Sequence, residues 1–313
     1  MTGTETSDTM TGNAETRVWA EVVCPVRNGG EPFARTLRSI AQLRCPRPVR
    51  LLISDNRSTD GTPWRHRLDE IVNMPVRVIS TPESFGRVEH WNWAFQQIQA
   101  DWIKPLFVGD AVMPEYFERF EEASRRHPRA GLLFCRNKVL HPDKSRVTTA
   151  KFPDGEIGLE EFVELTLRPA VFVGGLSGVM VRADALRECL PFSERHPWTA
   201  DARFYRDVAR ACPMVGIKEV LCVLDQTIAR LSASVRAIGP SLREEWAFMA
   251  ELQKEAGVPA VGAFRHRAAV LGLLALAKYG RHVLPETLRR AMGKVCRRFG
   301  PGDGAGQGSG ETD

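Results

Sequence analysis

Residues 49–62, VRLLISDNRSTDGT, carry the clearest sign of the fold in this sequence. Its apolar run ends at Asp55 and gives way at once to polar, turn-forming residues that include Gly61. This is the pattern of a buried strand that reaches the surface at its carboxyl end. PLFVGDAVMP, residues 105–114, shows the same pattern with Asp110 as its acid. Two acidic strand ends predict a ligand site at one edge of a sheet.

Strand patterns alternate with helical patterns on both sides of this stretch. Apolar, β-rich runs occupy residues 18–26, 49–55, 75–81 and 102–108. Helical spacing of apolar residues occurs at 31–43 and 88–98. Alternation of this kind predicts an α/β fold with a mainly parallel, doubly wound, Rossmann-like sheet. Because the strands are almost continuously apolar, we expect helices on both faces of the sheet.

Composition narrows the class of protein. The chain has 313 residues, of which 43% are hydrophobic and 26% charged, as in an ordinary soluble protein. Its net charge is +5, without the aromatic-interleaved basic stripe of a nucleic-acid-binding protein. Seven cysteines without a C-x-x-C pair predict reduced thiols in a cytoplasmic protein. The first sixteen residues lack a signal-peptide pattern, and the longest apolar run is too short to span a bilayer.

Five stretches, in this order, resemble the inverting family-2 glycosyltransferases with the GT-A fold. They are VVCPVRNGGEPFARTLRSI (22–40), ISDNRSTDGT (53–62), GRVEHWNWAFQQIQADWIKPLFVGDAVMP (86–114), GGLSGVMVRADAL (174–186) and ADARFYRDVA (200–209). The second is the most specific, and the likeness extends over residues 18–234. The resemblance implies a GT-A nucleotide-diphospho-sugar transferase fold followed by a C-terminal helical extension.

The predicted organisation has five parts. A disordered N-terminus is followed by the nucleotide-sugar-binding half of the GT-A domain, the acceptor-binding half, a C-terminal helical extension and a disordered tail. Their predicted boundaries are residues 1–16, 17–112, 113–235, 236–299 and 300–313.

The resemblance also implies a donor site. Asp55 would hydrogen-bond the base of a nucleotide, although an aspartate that merely closes its turn would look the same. The guanidinium groups of Arg27 and Arg87 would approach the diphosphate or remain surface charges. The predicted donor-binding residues are Pro25, Arg27, Asn28, Asp55, Asn56, Ser58, Arg87, Asn92, Gly109 and Asp110.

Asp110 matches the last aspartate of the family's acidic metal motif, so the resemblance implies that it holds Mg²⁺ or Mn²⁺. One acid can suffice, because Mg²⁺ commonly takes one or two carboxylates plus phosphates and waters. Two features depart from the family. The acids that usually precede this position are replaced by Phe107, Val108 and Gly109, and a metal-associated histidine is replaced by Ala229. A weaker metal site, a divergent subgroup and lost catalysis are all consistent with these changes.

Asp201 matches the family's general base, the carboxylate that takes the acceptor proton during an inverting transfer. An aspartate in the first turn of a helix, favoured there by the helix dipole, would look the same. Asp207 and Glu194 are the alternatives for the base.

The resemblance therefore implies a cytoplasmic, metal-assisted, inverting glycosyltransferase that uses a UDP- or dTDP-sugar. Its acceptor would be a small molecule, a glycan or a lipid-linked sugar in polysaccharide, glycolipid or glycosylated-metabolite biosynthesis. The basic, apolar C-terminal segment predicts either peripheral contact with the inner membrane face or packing on the catalytic domain. Two other classes stay open: a catalytically silent sugar-nucleotide-binding paralogue or partner subunit, and a nucleotidyltransferase.

Overall fold

The computed structural model describes residues 17–140, 145–147, 152–167, 173–225 and 231–255. The strands in these ranges are β1 (Ala20–Val26), β2 (Val49–Asp55), β3 (Val76–Ser80), β4 (Trp102–Pro105), β5 (Ala111–Val112), β6 (Leu132–Leu140), β7 (Ser145–Val147), β8 (Glu156–Ile157), β9 (Val179–Arg182) and β10 (Met214–Asp225). The helices are α1 (Gly30–Ala41), α2 (Arg87–Gln96), α3 (Tyr116–Arg126), α4 (Leu159–Leu167), α5 (Ala183–Cys189), α6 (Ala200–Ala211) and α7 (Leu231–Glu255). Short 3₁₀ segments occupy Pro63–Glu70 and Leu176–Gly178.

The described strands form one sheet with the order β3-β2-β1-β4-β9-β6-β10-β5. The first four run parallel, as predicted, up to the junction with β9. From there the sheet is mixed, because β9 is antiparallel to both β4 and β6, while β6 and β10 are parallel. The strand order reverses beside β1, which lies between β2 and β4. A crevice for ligands is expected at the carboxyl ends of these strands.

Two hydrophobic cores cover the two faces of the sheet, as the apolar strands predict. Val22 and Leu51 pack on the face that carries α1 and α3. Val23 and Leu52, one position further along each strand, pack on the face that carries α2 and α4 to α7. Successive side chains of a strand point to opposite faces, so β1 and β2 contribute to both cores. This double burial fixes the position of their carboxyl ends.

The start of α1 is tied to the loop after β2. The helix buries Phe33, Leu37 and Ile40, which lie on one face at helical spacing. Its first N–H, from Gly30, donates to Asp60 Oδ2 at 3.1 Å. The carboxylate therefore satisfies one of the unpaired donors at the helix N-terminus and favours it electrostatically.

The structure differs from the sequence expectations at two boundaries and by one additional strand. The predicted strand 102–108 ends at Pro105, because the Phe107 N–H donates to Ser177 Oγ at 3.1 Å instead of to a neighbouring strand. The twelve-residue strand β10 was not predicted at all. Helix α7 begins at Leu231, before residue 236, where the predicted C-terminal helical extension starts.

The division of the chain into domains stays a prediction. Helix α7 crosses the predicted boundary at residues 235 and 236 without interruption. The two predicted disordered ends and the basic C-terminal segment lie outside the described residues. In the ranges that are described, the helices are too short or too polar to cross a membrane.

Candidate active site

Side chains join the two polar loops at the carboxyl ends of β1 and β2. The Asn28 side-chain oxygen accepts a hydrogen bond from the Thr59 N–H at 2.7 Å, and the Asn28 N–H donates to Ser58 Oγ at 2.9 Å. Asp55 Oδ1 in turn accepts from the Ser58 N–H, three residues further on, at 3.1 Å, so its side chain closes its own loop. Asp55 Oδ2 lies 3.6 Å from the Arg65 guanidinium. The structure thus brings three predicted donor-binding residues into one network.

Asn56 and Asn92 use their amide groups to hold neighbouring loops. The Asn56 amide donates to the Phe85 carbonyl at 2.9 Å and accepts from the Phe85 N–H at 2.8 Å. The Asn92 amide makes the same pair of bonds to Phe192, at 3.1 and 2.7 Å. Because these amides bind backbone groups, the two residues hold the segments at Phe85 and Phe192 in place.

Pro25 and Arg27 differ in exposure. Pro25 is buried inside β1, in register with Ser54 of β2. Arg27 is exposed just after β1, and within the described ranges no carboxylate forms an ion pair with it.

The imidazole of His90 is held close to the end of β2, where His90 Nε2 lies 2.8 Å from Ser54 Oγ. Burial lowers the pKa of His90 to about 4, so its imidazole is neutral at pH 7.

Asp110 is buried, and its carboxylate oxygens and its carbonyl oxygen all accept hydrogen bonds. Its Oδ2 accepts from Ser177 Oγ at 2.6 Å and its Oδ1 from the Asp225 N–H at 3.0 Å. Thr36 Oγ1 donates to the Asp110 carbonyl at 2.8 Å and accepts from the Gly109 N–H at 3.0 Å. Gly109 has a φ of +89°, a left-handed conformation that favours glycine. The predicted metal ligand is therefore fixed in both its backbone and its side chain.

Asp225, the last residue of β10, is a candidate that sequence reasoning missed. A Cβ atom added to Gly109 would lie 3.7 Å from Asp225 Oδ2, so this carboxyl group borders the turn that carries Asp110. Arg35 of α1 donates to the same oxygen at 2.9 Å. The acid that accompanies Asp110 in space thus comes from another strand. Ala229, the altered histidine position, lies outside the described residues.

The chemistry of this donor set fits a hard divalent cation. Carboxylate oxygens are the ligands that Mg²⁺ and Mn²⁺ favour, and each such oxygen has two lone pairs. Within the described part of the chain, no group of three or more His, Cys, Asp or Glu side chains is arranged to hold a metal. Asp110 and Asp225 therefore suit a cation that takes its other ligands from a diphosphate and water, as Mg²⁺ commonly does.

Asp201 lies in the first turn of α6. Its Oδ1 accepts from the Ala202 N–H at 2.8 Å. Burial raises the pKa of its carboxyl group, and the Ala202 N–H and the Arg87 charge oppose this in part. The Arg87 guanidinium lies 5.3 Å from the ring centre of Trp91 and 4.9 Å from that of Trp198. A carboxylate with a raised pKa is a better proton acceptor.

The two alternative bases have other partners. Asp207 Oδ1 accepts from Arg206 Nε at 3.0 Å and from Arg210 at 3.1 Å. Glu194 Oε1 accepts from the Asn92 amide at 3.2 Å. Of the three carboxylates, Asp207 is the one paired with two arginines of its own helix, which favours a structural role for it.

A comparison with protein families decides the class. The model described as Glycosyl transferase family 2 matches residues 21–190, more than half of the 313 residues. The chain belongs to this family. The match includes Asp55 and Asp110, and it favours a glycosyltransferase over a nucleotidyltransferase. A search of curated proteins gives no match.

Solved structures agree with the GT-A fold of this family-2 glycosyltransferase. Residues 1–349 of S. aureus TarS, in complex with UDP-GlcNAc, align with a TM-score of 0.58 at 13% identity, over 84% of this chain and 80% of TarS 1–349. The mannosyltransferase PcManGT from Pyrobaculum calidifontis, in complex with GDP-Man and Mn²⁺, aligns with a TM-score of 0.54 at 16% identity, over 92% of this chain and 82% of PcManGT. At these identities the likeness concerns the fold.

Proposed function

We propose that this family-2 glycosyltransferase transfers a sugar from a UDP- or dTDP-sugar to a hydroxyl group, with inversion at the anomeric carbon. One observation carries the proposal: Asp55 ends β2 and Asp110 follows β4, the strands on either side of β1, so both acids lie at one carboxyl edge. Val26 is in register with Asp55, and the Leu106 N–H donates to the Val23 carbonyl at 2.9 Å. A crevice between such strands is where open α/β sheets bind nucleotides.

The loops after β1 and β2 would hold the nucleotide. Asp55 would accept a hydrogen bond from the base, with its carboxylate aimed by the Ser58 N–H. Arg27 is exposed at the same edge and would approach the diphosphate. The TarS complex with UDP-GlcNAc supports a sugar nucleotide as the donor, as does the PcManGT complex with GDP-Man.

Asp110 would hold Mg²⁺ or Mn²⁺, with Asp225 beside it. When bound, the cation supplies positive charge that stabilises the departing diphosphate. The carboxylate positions support this role, as does the PcManGT complex, which contains Mn²⁺.

Asp201 would act as the general base. Its carboxylate takes the proton of the acceptor hydroxyl while that oxygen forms a bond to the anomeric carbon. The bond from this carbon to the diphosphate oxygen breaks on the opposite face, so the configuration inverts. The raised pKa of Asp201 supports this assignment.

The biological setting belongs to the same proposal. We infer a cytoplasmic enzyme of polysaccharide, glycolipid or glycosylated-metabolite biosynthesis. Its acceptor would be a small molecule, a glycan or a lipid-linked sugar, with peripheral membrane contact through the basic C-terminal segment.

The test is a panel of UDP-, dTDP- and GDP-sugars with candidate acceptors, with Mn²⁺ or EDTA. We expect Mn²⁺-dependent release of UDP or dTDP. Nucleotide binding that EDTA does not affect, without turnover of any donor, would instead identify a catalytically silent paralogue. The replacement of the neighbouring acids by Phe107, Val108 and Gly109 is what keeps that alternative open.

A further inference from the structure

The carboxylate of Asp110 accepts a short hydrogen bond from a serine hydroxyl. Ser177 Oγ lies 2.6 Å from Asp110 Oδ2, within the range of strong, charge-assisted O–H···O⁻ bonds. Asp110 is 4% exposed and Ser177 is 1% exposed. Water has little access to compete with this bond.

The direction of this hydrogen bond is determined by a second contact. Ser177 Oγ accepts a hydrogen bond from the Phe107 N–H at 3.1 Å, which uses a lone pair of the hydroxyl oxygen. A hydroxyl has a single proton, which is therefore available for Asp110. The short bond orients the carboxylate from one side, and the Asp225 N–H orients it from the other at 3.0 Å.

The backbone of Ser177 is held by two further hydrogen bonds. Its carbonyl oxygen accepts hydrogen bonds from the Lys104 ammonium group and from the Cys222 thiol, the latter at 3.1 Å. Lys104 is 1% exposed and lies 4.5 Å from the ring centre of Tyr116. The 3₁₀ segment Leu176–Gly178 thus holds the hydroxyl in place through the contacts of its backbone with Lys104 and Cys222.

We propose that Ser177 is the positioning residue of the cation site, and that its hydroxyl fixes the orientation in which the Asp110 carboxylate holds a divalent cation. This role rests on the function proposed above. Side chains that hydrogen-bond to metal ligands typically contribute about 10–100-fold to the metal affinity. Ser177 belongs to the acceptor half of the predicted domain and Asp110 to the donor half, so the contact also joins the two halves.

The test measures Mn²⁺ binding directly, by the electron paramagnetic resonance signal of free Mn²⁺, with full-length protein and UDP. Ser177→Ala removes the hydroxyl, and Ser177→Cys keeps a side chain of similar size with a weaker donor. Both should bind Mn²⁺ about 10–100-fold more weakly. Excess Mn²⁺ should restore turnover, which a misfolded variant would not show.

Two further variants make the outcome decisive. Ser124→Ala removes a partly buried hydroxyl that donates to the Glu121 carbonyl at 2.8 Å on α3, and it should leave Mn²⁺ affinity unchanged. Asp110→Ala tests the cation site itself. If Asp110→Ala abolishes Mn²⁺ binding while both Ser177 variants bind like the native protein, the positioning role is wrong and the proposed function stands. If Asp110→Ala has no effect on Mn²⁺ binding, the positioning role and the proposed cation site at Asp110 are both wrong.

Discussion

At the scale of single residues, the acids of the candidate site differ in what engages their oxygens. Asp110 is held by a hydroxyl and an N–H from two other segments, Asp55 by the turn that it closes, and Asp201 by its own helix. Those three environments suit three tasks. A cation ligand needs a fixed orientation, a nucleotide contact needs a preformed loop, and a base needs an available lone pair and a raised pKa.

Replacing Asp201 by Asn should lower turnover by about 10²–10⁴-fold, because the amide cannot take the acceptor proton. Donor affinity, measured by calorimetry with UDP and Mn²⁺, should be unchanged. Since burial raises the pKa of the carboxyl group, kcat of the native enzyme should fall on the acid side at a higher pH than for an ordinary aspartate. Asp207→Asn serves as control and should retain turnover. Full activity of Asp201→Asn would overturn the assignment.

His90 should make stability depend on pH. The pKa of its imidazole is about 4 in the folded state and about 6.5 when unfolded, so protonation favours the unfolded chain. This contribution is complete above pH 6.5 and is lost as the pH falls towards 4, with an upper bound of about 3 kcal/mol. Urea unfolding of His90→Gln should lack this part of the pH dependence. The same change at the exposed His66 should not remove it.

From the sequence alone, the position of a residue in the site can be predicted only where a local pattern marks it. Asp55 and Asp110 end apolar runs, so their position at the edge of a sheet can be predicted from the sequence. The roles of Ser177 and Asp225 depend on contacts with Asp110 across 67 and 115 positions of the chain. No local pattern reports such contacts. Asn56 has the polar side chain of a ligand residue, yet it holds the Phe85 backbone.

At the scale of elements, α7 is fastened to α6 by ion pairs. Arg203 forms two hydrogen bonds with Glu251, at 2.6 and 3.0 Å, and its side chain is 9% exposed. Arg206 reaches the same carboxylate at 3.2 Å. Because α6 also carries Asp201, this contact helps to hold the helix that presents the proposed base.

Replacing Glu251 by Gln should lower the free energy of unfolding by about 1–2 kcal/mol, since it leaves a buried guanidinium poorly paired while the partly exposed carboxylate limits the effect. Glu255→Gln is the matched control. Its partner, Arg210, has a side chain that is 46% exposed, so the loss should stay below about 1 kcal/mol. If chemical denaturation gives equal losses of unfolding free energy for the two variants, the burial of the Arg203 side chain does not determine the strength of its ion pair.

Strand β10 shows why one element escaped prediction. Its pairing with β6 is irregular between Ile217 and Val220 and again between Val220 and Cys222. An irregular strand does not keep the strict alternation of apolar and polar residues by which strands are recognised. The four parallel strands at the other side of the sheet keep regular register and were predicted.

At the scale of the whole molecule, UDP and Mn²⁺ should stabilise the protein together. A ligand present at about 100 times its Kd adds about 2.7 kcal/mol, which raises the melting temperature by several degrees. EDTA should remove most of the shift, because the diphosphate and the carboxylate of Asp110 would share one cation. ATP with Mn²⁺ is the control nucleotide. A shift with UDP that EDTA leaves intact would argue against the metal role.

The hydrogen bond from the Asp225 N–H to Asp110 also sets an order of assembly during synthesis. Asp110 leaves the ribosome long before its partner does, since 115 positions separate them. A nascent chain that ends before β10 has the nucleotide loops but lacks one of the groups that orient the Asp110 carboxylate. The proposed cation site would therefore be complete only after β10 has been synthesised. The acidic strand end does not stand alone in the finished protein, but its companion ends β10, the last strand in chain order among the described residues.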